Sequence, residues 1–414
     1  MTRDARTALT ARERLDSGAA YTLRDLGSGF VARLRDGDLG SLPVVCGLVI
    51  IAVLFQLANP RFLAPGNLVN LTLQAAPLGV IALGTVVVLL VAQIDLSVGS
   101  VSGLASAIVG VSAMQLGWPM LVGVVAAVAA GAVIGIFYGF LLTRFGVPSF
   151  VITLAGLLAF LGVQLALLGP NGSINIPFSD PLVQFANTWF LPPWAAYTIV
   201  GLASLGLLFS GLARRRRRMN AQLPAEHPSV PIAKAVILAA ALSVAVWYLS
   251  LDRGTAVMPL LFLLLVVVMS YLLRRTRWGR SVFAVGGNVD AARRAGLPVT
   301  RTLVTAFMIC SAFAALGGVL AAARLGSATT LTGSADTNLN AIAAAIIGGT
   351  SLFGGRGNAW SAVLGVLVIS AISSGLTLLN LDSSVRYMIT GAVLLLAVIV
   401  DSVSRRSRAS HGRG

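Results

Sequence analysis

Residues 68–92 read LVNLTLQAAPLGVIALGTVVVLLVA, a block without a single charged side chain. About 20 apolar residues are enough for a helix to cross a hydrocarbon core of about 30 Å. The block therefore predicts a membrane-spanning helix. Residues 93–100, QIDLSVGS, follow it directly and place an acid, two hydroxyls and a glycine before the next apolar block.

Similar apolar blocks recur along the 414 residues, which are 57% hydrophobic and 11% charged. This predicts an all-α, polytopic transmembrane helical bundle of about twelve membrane segments, some of them broken or re-entrant. The segments are predicted at residues 43–58, 68–92, 96–116, 118–142, 150–169, 194–213, 232–250, 257–273, 303–323, 339–353, 359–378 and 385–401. An N-terminal extension (1–41) precedes the membrane domain (42–402), and a basic tail (403–414) follows it.

The net charge of +16 comes from arginines that lie mostly between the apolar blocks. Positive loops stay on the cytoplasmic side of a membrane, so the charge indicates orientation towards anionic lipid, not nucleic-acid binding. An even number of crossings then places both termini in the cytoplasm. It also places there Arg144, the run Arg214–Arg218, residues 274–302 and Arg356. We interpret the run as a topology signal.

Several kinds of chemistry have no residues to support them. The two cysteines lie in apolar blocks and the two histidines in a loop and the tail, so we expect no metal site, cofactor or catalytic residue. The single lysine, Lys234, follows no glycine loop, which excludes a phosphate-binding G-x-x-x-x-G-K motif. We therefore expect a protein that is not an enzyme, and any ATP hydrolysis would belong to another subunit.

Two interruptions of the apolar pattern are candidates for a substrate pathway. Residues 93–100 contain Asp95 and Ser97, and GGTSLFGGRGN at 348–358 contains four glycines before Arg356. Broken helices occur in membranes where protein or a cavity surrounds the freed backbone. Asp95 either caps the following helix at the interface or lines a pathway, and the glycines either break a helix or allow close packing. By polarity alone, the pathway candidates are Asp95, Ser97, Asn338 and Asn340.

Residues 274–302 read RRTRWGRSVFAVGGNVDAARRAGLPVTRT, the longest polar stretch between two late apolar blocks. Asn288 as N-cap and Gly296 as terminator predict a short helix over 289–295, and Gly286-Gly287 predicts a sharp turn before it. Two turns are marginal alone, so the helix must dock, with Val289, Ala291, Ala292 and Ala295 available as its small face. It either fits a groove of a cytoplasmic partner or lies on lipid headgroups.

Three stretches carry a family resemblance. Residues 279–288 with 291–296, residues 94–100, and residues 340–343 with 348–357 resemble the permeases of the ribose/xylose/galactose branch of ABC importers. The additional pair of segments around Arg214–Arg218 is similar to the longer, xylose-type members. The resemblance implies a cytoplasmic coupling loop at 274–302 that holds an ATPase subunit. Its coupling residues would be Gly279, Arg280, Gly286, Gly287, Asn288, Ala291, Ala292, Arg293 and Gly296.

The resemblance also implies a homodimer in the bacterial inner membrane, separate ATPase subunits, and an extracytoplasmic binding protein that delivers the sugar. We therefore expect a permease subunit that moves a monosaccharide inward, with xylose or a related pentose as the first candidate. The alternative is a stand-alone, ion-coupled sugar carrier or channel, based on Asp95 and the two helix breaks.

Overall fold

The computed structural model describes residues 42–223 and 225–382, together with residues 384, 385, 388, 389, 391, 392 and 395. The predicted extension (1–41), the tail (403–414) and most of the predicted segment 385–401 lie outside the described residues. The predicted division of the chain into these three parts therefore stays a prediction.

Helices dominate the described residues, which confirms the all-α class. In chain order they are α1 (Leu42–Ala58), α2 (Pro65–Leu90), α3 (Val98–Gly110) with a π-helical turn (Val111–Gln115), α4 (Met120–Phe145), α5 (Ser149–Leu168), α6 (Pro181–Asn187), α7 (Pro193–Asn220), α8 (Ser229–Leu249), α9 (Val257–Arg275), α10 (Arg277–Gly287), α11 (Val289–Arg294), α12 (Val299–Leu325), α13 (Ala335–Ile347) and α14 (Trp360–Leu378). The short strands are β1 (Ser173–Asn175), β2 (Phe190–Leu191), β3 (Thr255–Ala256) and β4 (Ser327–Thr329).

Nine helices within the described residues are long and apolar enough to cross a membrane. They are α2, α3 with its π-turn, α4, α5, α7, α8, α9, α12 and α14. Helix α1 has 17 apolar residues and is slightly shorter. The predicted segment 339–353 is a broken element: α13 has 13 residues, or about 20 Å of helix, and ends at Ile347.

The chain divides into two compact units. The larger comprises Ser41–Trp189 and Ala256–Ser402, and the smaller comprises, among the described residues, Phe190–Thr255. The smaller unit is a hairpin of α7 and α8, in which Ala196, Val200 and Val246 form a buried cluster.

Helices α2, α3, α12 and α14 are the most buried candidate spans of the larger unit. In their apolar 18-residue windows, 89%, 72%, 61% and 67% of residues are buried, against 28% for α4, α5 and α9. Helix α4 packs on α12 through Gly131, Gly135 and Gly139, which are one turn apart, because an added Cβ at each would collide with the α12 backbone or side chains. Small residues let membrane helices approach closely where burial of apolar surface gives little driving force.

Residues 171–193, a polar and Pro-rich stretch, contain regular structure. Strand β1 pairs antiparallel with β4, with Ile174 opposite Ala328. Helix α6 begins after Asp180, whose Oδ1 accepts a hydrogen bond from the Leu182 amide at 2.8 Å. The strand pair fixes the chain that enters the second interrupted element.

Candidate functional site

The chain between α2 and α3, residues 91–97, is non-helical and is buried or half-buried inside the larger unit. Ala92 turns it with a positive φ of 57°. Helix α5 supplies two hydroxyls to the freed backbone: Ile94 N donates to Ser149 Oγ at 3.4 Å, and Leu96 N donates to Thr153 Oγ1 at 3.1 Å. The break is therefore surrounded by protein, as a non-helical backbone at membrane depth must be.

Asp95 lies in this break with 1% of its surface exposed. Its Oδ1 accepts from the Ser97 amide at 2.8 Å and from the Ser97 hydroxyl at 2.7 Å, just before α3 begins at Val98. Its Oδ2 has no hydrogen-bond partner among the described residues. Asp95 therefore fixes Ser97, the residue that precedes α3, within the protein interior. Both interpretations of Asp95, as a helix cap and as a pathway residue, stay predictions.

The beginning of α13 contacts Leu96, next to Asp95, and the first turn of α3. Asn338 Nδ2, on α13, donates to the Leu96 carbonyl at 2.6 Å, and a Cβ added at Gly99 would lie 3.0 Å from Asn338 Cβ. Further along α3, Gly103 packs against the chain that precedes α13. Beyond α13, the Gly355 amide donates to the carbonyl of Leu90, which precedes the first break. The two helices thus extend from their shared starting point in opposite directions.

Helix N-termini carry partial positive charge from unpaired amides. Helix α3 begins three residues after Asp95, and the start of α13 packs on Leu96 and Gly99, so the acid lies near the N-terminus of α3. Half-helices whose ends face one another inside a membrane are typical of substrate sites in transporters.

Gln164 on α5 belongs to the same interior region and was missed by sequence reasoning. It is fully buried, and its Nε2 donates to the carbonyls of Thr329 and Thr332 at 3.0 and 2.9 Å. Its Oε1, like Asn338 Oδ1 and Asp95 Oδ2, has no partner among the described residues. A glutamine alone in an apolar helix was the signal that could have identified it.

Of the four predicted pathway residues, the structure brings together Asp95, Ser97 and Asn338. Asn340 is half-buried and lies two residues after Asn338. Two residues correspond to a rotation of about 200° around α13, so Asn340 faces away from the break. Polarity could not distinguish the two asparagines, because only the contact with Leu96 identifies the inward one.

The coupling stretch 274–302 contains two helices. Helix α10 begins at a cap in which Thr276 Oγ1 accepts from the Gly279 amide at 3.0 Å, and Trp278 Nε1 donates to Thr305 Oγ1 on α12 at 2.8 Å. Gly279 is buried against the carbonyls of Leu272 and Leu273. These contacts fix α10 to the membrane helices on both sides.

The short helix predicted at 289–295 is present as α11, and Asn288 is its N-cap, with Oδ1 accepting from the Ala291 amide at 2.9 Å. The predicted sharp turn at Gly286-Gly287 is wrong: both residues end α10, and the turn falls at Asn288, whose extended backbone has φ −162°. Ala292 is also not a docking residue, because it is 4% exposed and faces its own chain. Helices α10 and α12 contact α11.

The nine predicted coupling residues therefore separate into two groups. Three are buried and pack inside the chain: Gly279, Gly286 and Ala292. Six are exposed and form a surface that we call the coupling face: Arg280, Gly287, Asn288, Ala291, Arg293 and Gly296.

Gly286 joins this loop to both helix breaks. A Cβ on it would collide with the Leu90 carbonyl and would lie 2.7 Å from the Gly355 amide nitrogen. Gly354 likewise packs on Ala92 and on the Gly286 carbonyl. We call this contact of three segments the glycine junction. It connects the coupling face, the first break and the second break through backbone atoms alone.

The family model of the branched-chain amino acid transport system permease component matches residues 67–398. The chain belongs to this family. The xylose transport system permease protein of Haemophilus influenzae is 32% identical over 375 residues, which cover 90% of this permease and 99% of the relative. That of Escherichia coli is 32% identical over 380 residues, covering 92% and 96%. The ribose import permease protein of Bacillus subtilis is 30% identical over 366 residues, covering 88% and 94%.

These relatives place the permease in the ribose/xylose branch of ABC importer permeases and confirm a transport subunit, not an enzyme. With its apolar helices, it is a multi-pass inner-membrane protein. The family implies ATPase subunits and a substrate-binding protein as partners. No solved structure matches the chain.

Proposed function

We propose that this permease imports a pentose, with xylose as the first candidate, powered by ATPase subunits bound at the coupling face. The most similar curated relatives above are named for xylose and ribose transport. The observation that carries the proposal is the glycine junction, because it joins a cytoplasmic docking surface to both interrupted elements of the interior.

Closure of the ATPase subunits would displace α11 and α10. Gly286 touches Leu90 and Gly355 through backbone atoms, so α10 cannot shift without moving the ends of both breaks. The non-helical segment 91–97 and α13 would follow, and their separation would switch access to the interior. Small displacements are amplified in this way because tightly packed contacts have discrete arrangements.

The translocation path is proposed to pass the meeting point of α3 and α13. Sugars present hydroxyl donors, and the buried oxygens without partners among the described residues include Asp95 Oδ2, Asn338 Oδ1 and Gln164 Oε1. Such acceptors inside a largely apolar bundle suit a polyhydroxylated, uncharged substrate that passes through the site without being retained.

Transport is tested in proteoliposomes that contain the purified permease with its ATPase subunits and binding protein. Uptake of labelled xylose should require ATP and all components, and ribose and a hexose serve as comparison sugars. ATP-independent uptake by the permease alone would support the stand-alone carrier or channel and overturn the proposal. If a hexose is transported faster than either pentose, the assignment as an importer stands but the assigned substrate changes to a hexose.

The coupling face is tested by Ala291→Glu, which adds a carboxylate to an exposed position of α11. Co-purification of the ATPase subunits should fall at least tenfold, while the permease itself stays monodisperse. Ala221→Glu, which adds the same carboxylate at an exposed position after α7 and outside residues 274–302, is the control. Equal retention of the ATPase by both variants would locate docking elsewhere.

The permease is further proposed to act as a homodimer with both termini in the cytoplasm. The family resemblance supports the dimer, and the arrangement of arginines supports the orientation. Mass measurement of the detergent-solubilised importer should give two permease chains per complex.

A further inference from the structure

The smaller unit contains a cavity of about 150 Å³ between the last turns of α7 and the first turns of α8. Its lining residues are Leu207, Ser210, Gly211, Arg214, Arg215, Arg218, Glu226, Pro231 and Lys234. A cavity holds one water at about 10–15 Å³ on this kind of measure, so this one has room for a phosphate group and its ester oxygens.

The cavity carries an excess of positive charge. Three arginines from α7 and Lys234 from α8 line it, and Glu226 is the one acid among the lining residues. The Glu226 carboxylate lies 3.6 Å from Lys234 Nζ, and its backbone carbonyl accepts from Arg215 Nε at 3.0 Å. Four cations facing one carboxylate leave three positive charges, and such a cluster is stabilised when an anion occupies the space between them.

The geometry is more specific than a topology signal requires. A topology signal needs positive charge at the end of a helix, in any direction. Within the run Arg214–Arg218, the exposed side chains of Arg214 and Arg218 are one turn apart and line the cavity, whereas those of Arg216 and Arg217, equally exposed, do not. Two like charges at that spacing repel one another unless a ligand compensates them.

One end of the cavity is apolar. Leu207 and Gly211 lie on the same face of α7 as Arg214 and Arg218 but nearer its N-terminus, and Gly211 packs directly on Pro231 to join the two helices. The cavity therefore presents guanidinium groups beside a hydrocarbon surface at the end of two membrane-spanning helices. Free inorganic phosphate would make no favourable contact with the apolar residues, whereas a phospholipid has both a phosphate group and a hydrocarbon portion.

We propose that this cavity binds the phosphate headgroup of an anionic phospholipid, with the arginines on the phosphate and the acyl glycerol along Leu207 and Pro231. The site is independent of the coupling face and of the path at Asp95. Bound lipid would fix the α7–α8 hairpin by neutralising the cations that otherwise repel each other across it.

The test is native mass spectrometry of the full-length permease, purified in detergent and incubated with phosphatidylglycerol or phosphatidylcholine. The pocket variant R214Q/R218Q is compared with R216Q/R217Q, which removes the same charge from the same run. We expect phosphatidylglycerol adducts to be retained by the wild type and by R216Q/R217Q, and to fall at least fivefold in R214Q/R218Q. Phosphatidylcholine adducts should be few in all three proteins.

If both double variants lose phosphatidylglycerol equally, the arginine run attracts the lipid only by nonspecific charge. If both retain it equally, the cavity is not a lipid site. Either result overturns the proposal. Displacement of the lipid by millimolar inorganic phosphate would assign a free-anion site instead. Should R214Q/R218Q not purify as a monodisperse protein, Lys234→Gln on α8 decides, because it must lower retention by itself.

Discussion

Asp95 combines structural and chemical roles within one carboxylate. One oxygen accepts both bonds from Ser97 and the other has no partner among the described residues. A buried acidic side chain is expensive inside a membrane, so its presence here indicates function, not packing alone.

Asp95→Asn should separate these roles. The amide oxygen can still accept from Ser97, so the variant should fold, but the second oxygen becomes an NH₂ donor. The variant loses one hydrogen bond between a sugar hydroxyl and the carboxyl group, which is worth about 1.5–3 kcal/mol. We therefore expect xylose uptake in proteoliposomes to be at least roughly tenfold slower. Asp95→Leu should in addition lower the melting temperature, since it leaves the Ser97 amide unpaired. If the asparagine variant takes up xylose at the wild-type rate, Asp95 does not belong to the translocation path.

Asn338 and Asn340 provide a matched pair on α13. Asn338→Leu removes the bond to the Leu96 carbonyl and leaves that buried acceptor unpaired, which costs about 1–3 kcal/mol. Asn340→Leu, on the other side of the helix, should change stability by less. Thermal unfolding of the two purified variants, followed by tryptophan fluorescence, compares them. An equal shift would mean that the Leu96 contact does not hold the break.

At the scale of elements, the permease consists of continuous helices around two interrupted ones. Helices α2 and α12 are packed on most sides, and α4 closes on α12 through glycines. The interrupted elements contact one another at both ends: at Gly99 and Asn338, and at Leu90 and Gly355. Helix α10 touches only the second of these contacts, which is the one nearest the coupling face.

Adjacent glycines at the end of α10 test whether the glycine junction transmits movement. Gly286→Ala places a methyl group against backbone atoms of Leu90 and Gly355, which cannot rotate away as a side chain would. We expect a loss of at least about 1–3 kcal/mol in stability and a fall in uptake of tenfold or more. Gly287→Ala meets nothing within 4 Å and is the control for stability. Gly162→Ala on α5, which also meets nothing within 4 Å and lies outside the coupling face, is the control for uptake.

ATPase activity of the assembled importer provides the decisive readout for that pair. If the junction couples the subunits, Gly286→Ala should keep its ATPase partner but hydrolyse ATP without moving sugar. Normal uptake in Gly286→Ala would show that the contact is not needed for transport.

At the scale of the whole molecule, orientation is the property to measure. Single cysteines are introduced at Ser179 and Ala295, both exposed, in a variant without Cys46 and Cys310. A membrane-impermeant maleimide should label Ser179→Cys in intact spheroplasts and Ala295→Cys only after permeabilisation. The reverse pattern would invert the proposed orientation and place the coupling face outside.

Much of this architecture could be predicted from local sequence. Apolar length predicted the continuous spans, and Asn288 with Gly296 predicted α11, because capping depends on neighbouring residues only. The interruption at 93–100 was visible because polar residues cannot continue a lipid-exposed helix. The short length of α13 was less visible, since its apolar residues continue into the glycines after Ile347.

The errors arose where a glycine or alanine has two possible uses. Gly286-Gly287 was interpreted as a turn, because freedom of the backbone is glycine's local property, whereas Gly286 is required by the close approach of Leu90 and Gly355. Ala292 was assigned to docking, although burial turns it inward. The local sequence around a glycine or alanine is compatible with either use. Only the residues that pack against it in the folded protein distinguish a turn or docking position from a close-packed one.

The sequence by itself therefore determined the membrane class, the continuous spans, the capped helix and the family, since hydropathy, capping and motif spacing act over short distances along the chain. Only the tertiary structure decided which polar residues share a site. Asn338 donates a hydrogen bond to Leu96, next to Asp95, and Gln164 donates to the chain before α13. Gly286 packs against both breaks. Each of these contacts joins residues that are at least 65 positions apart in the sequence. Such contacts depend on how helices pack, and no local pattern encodes the partner.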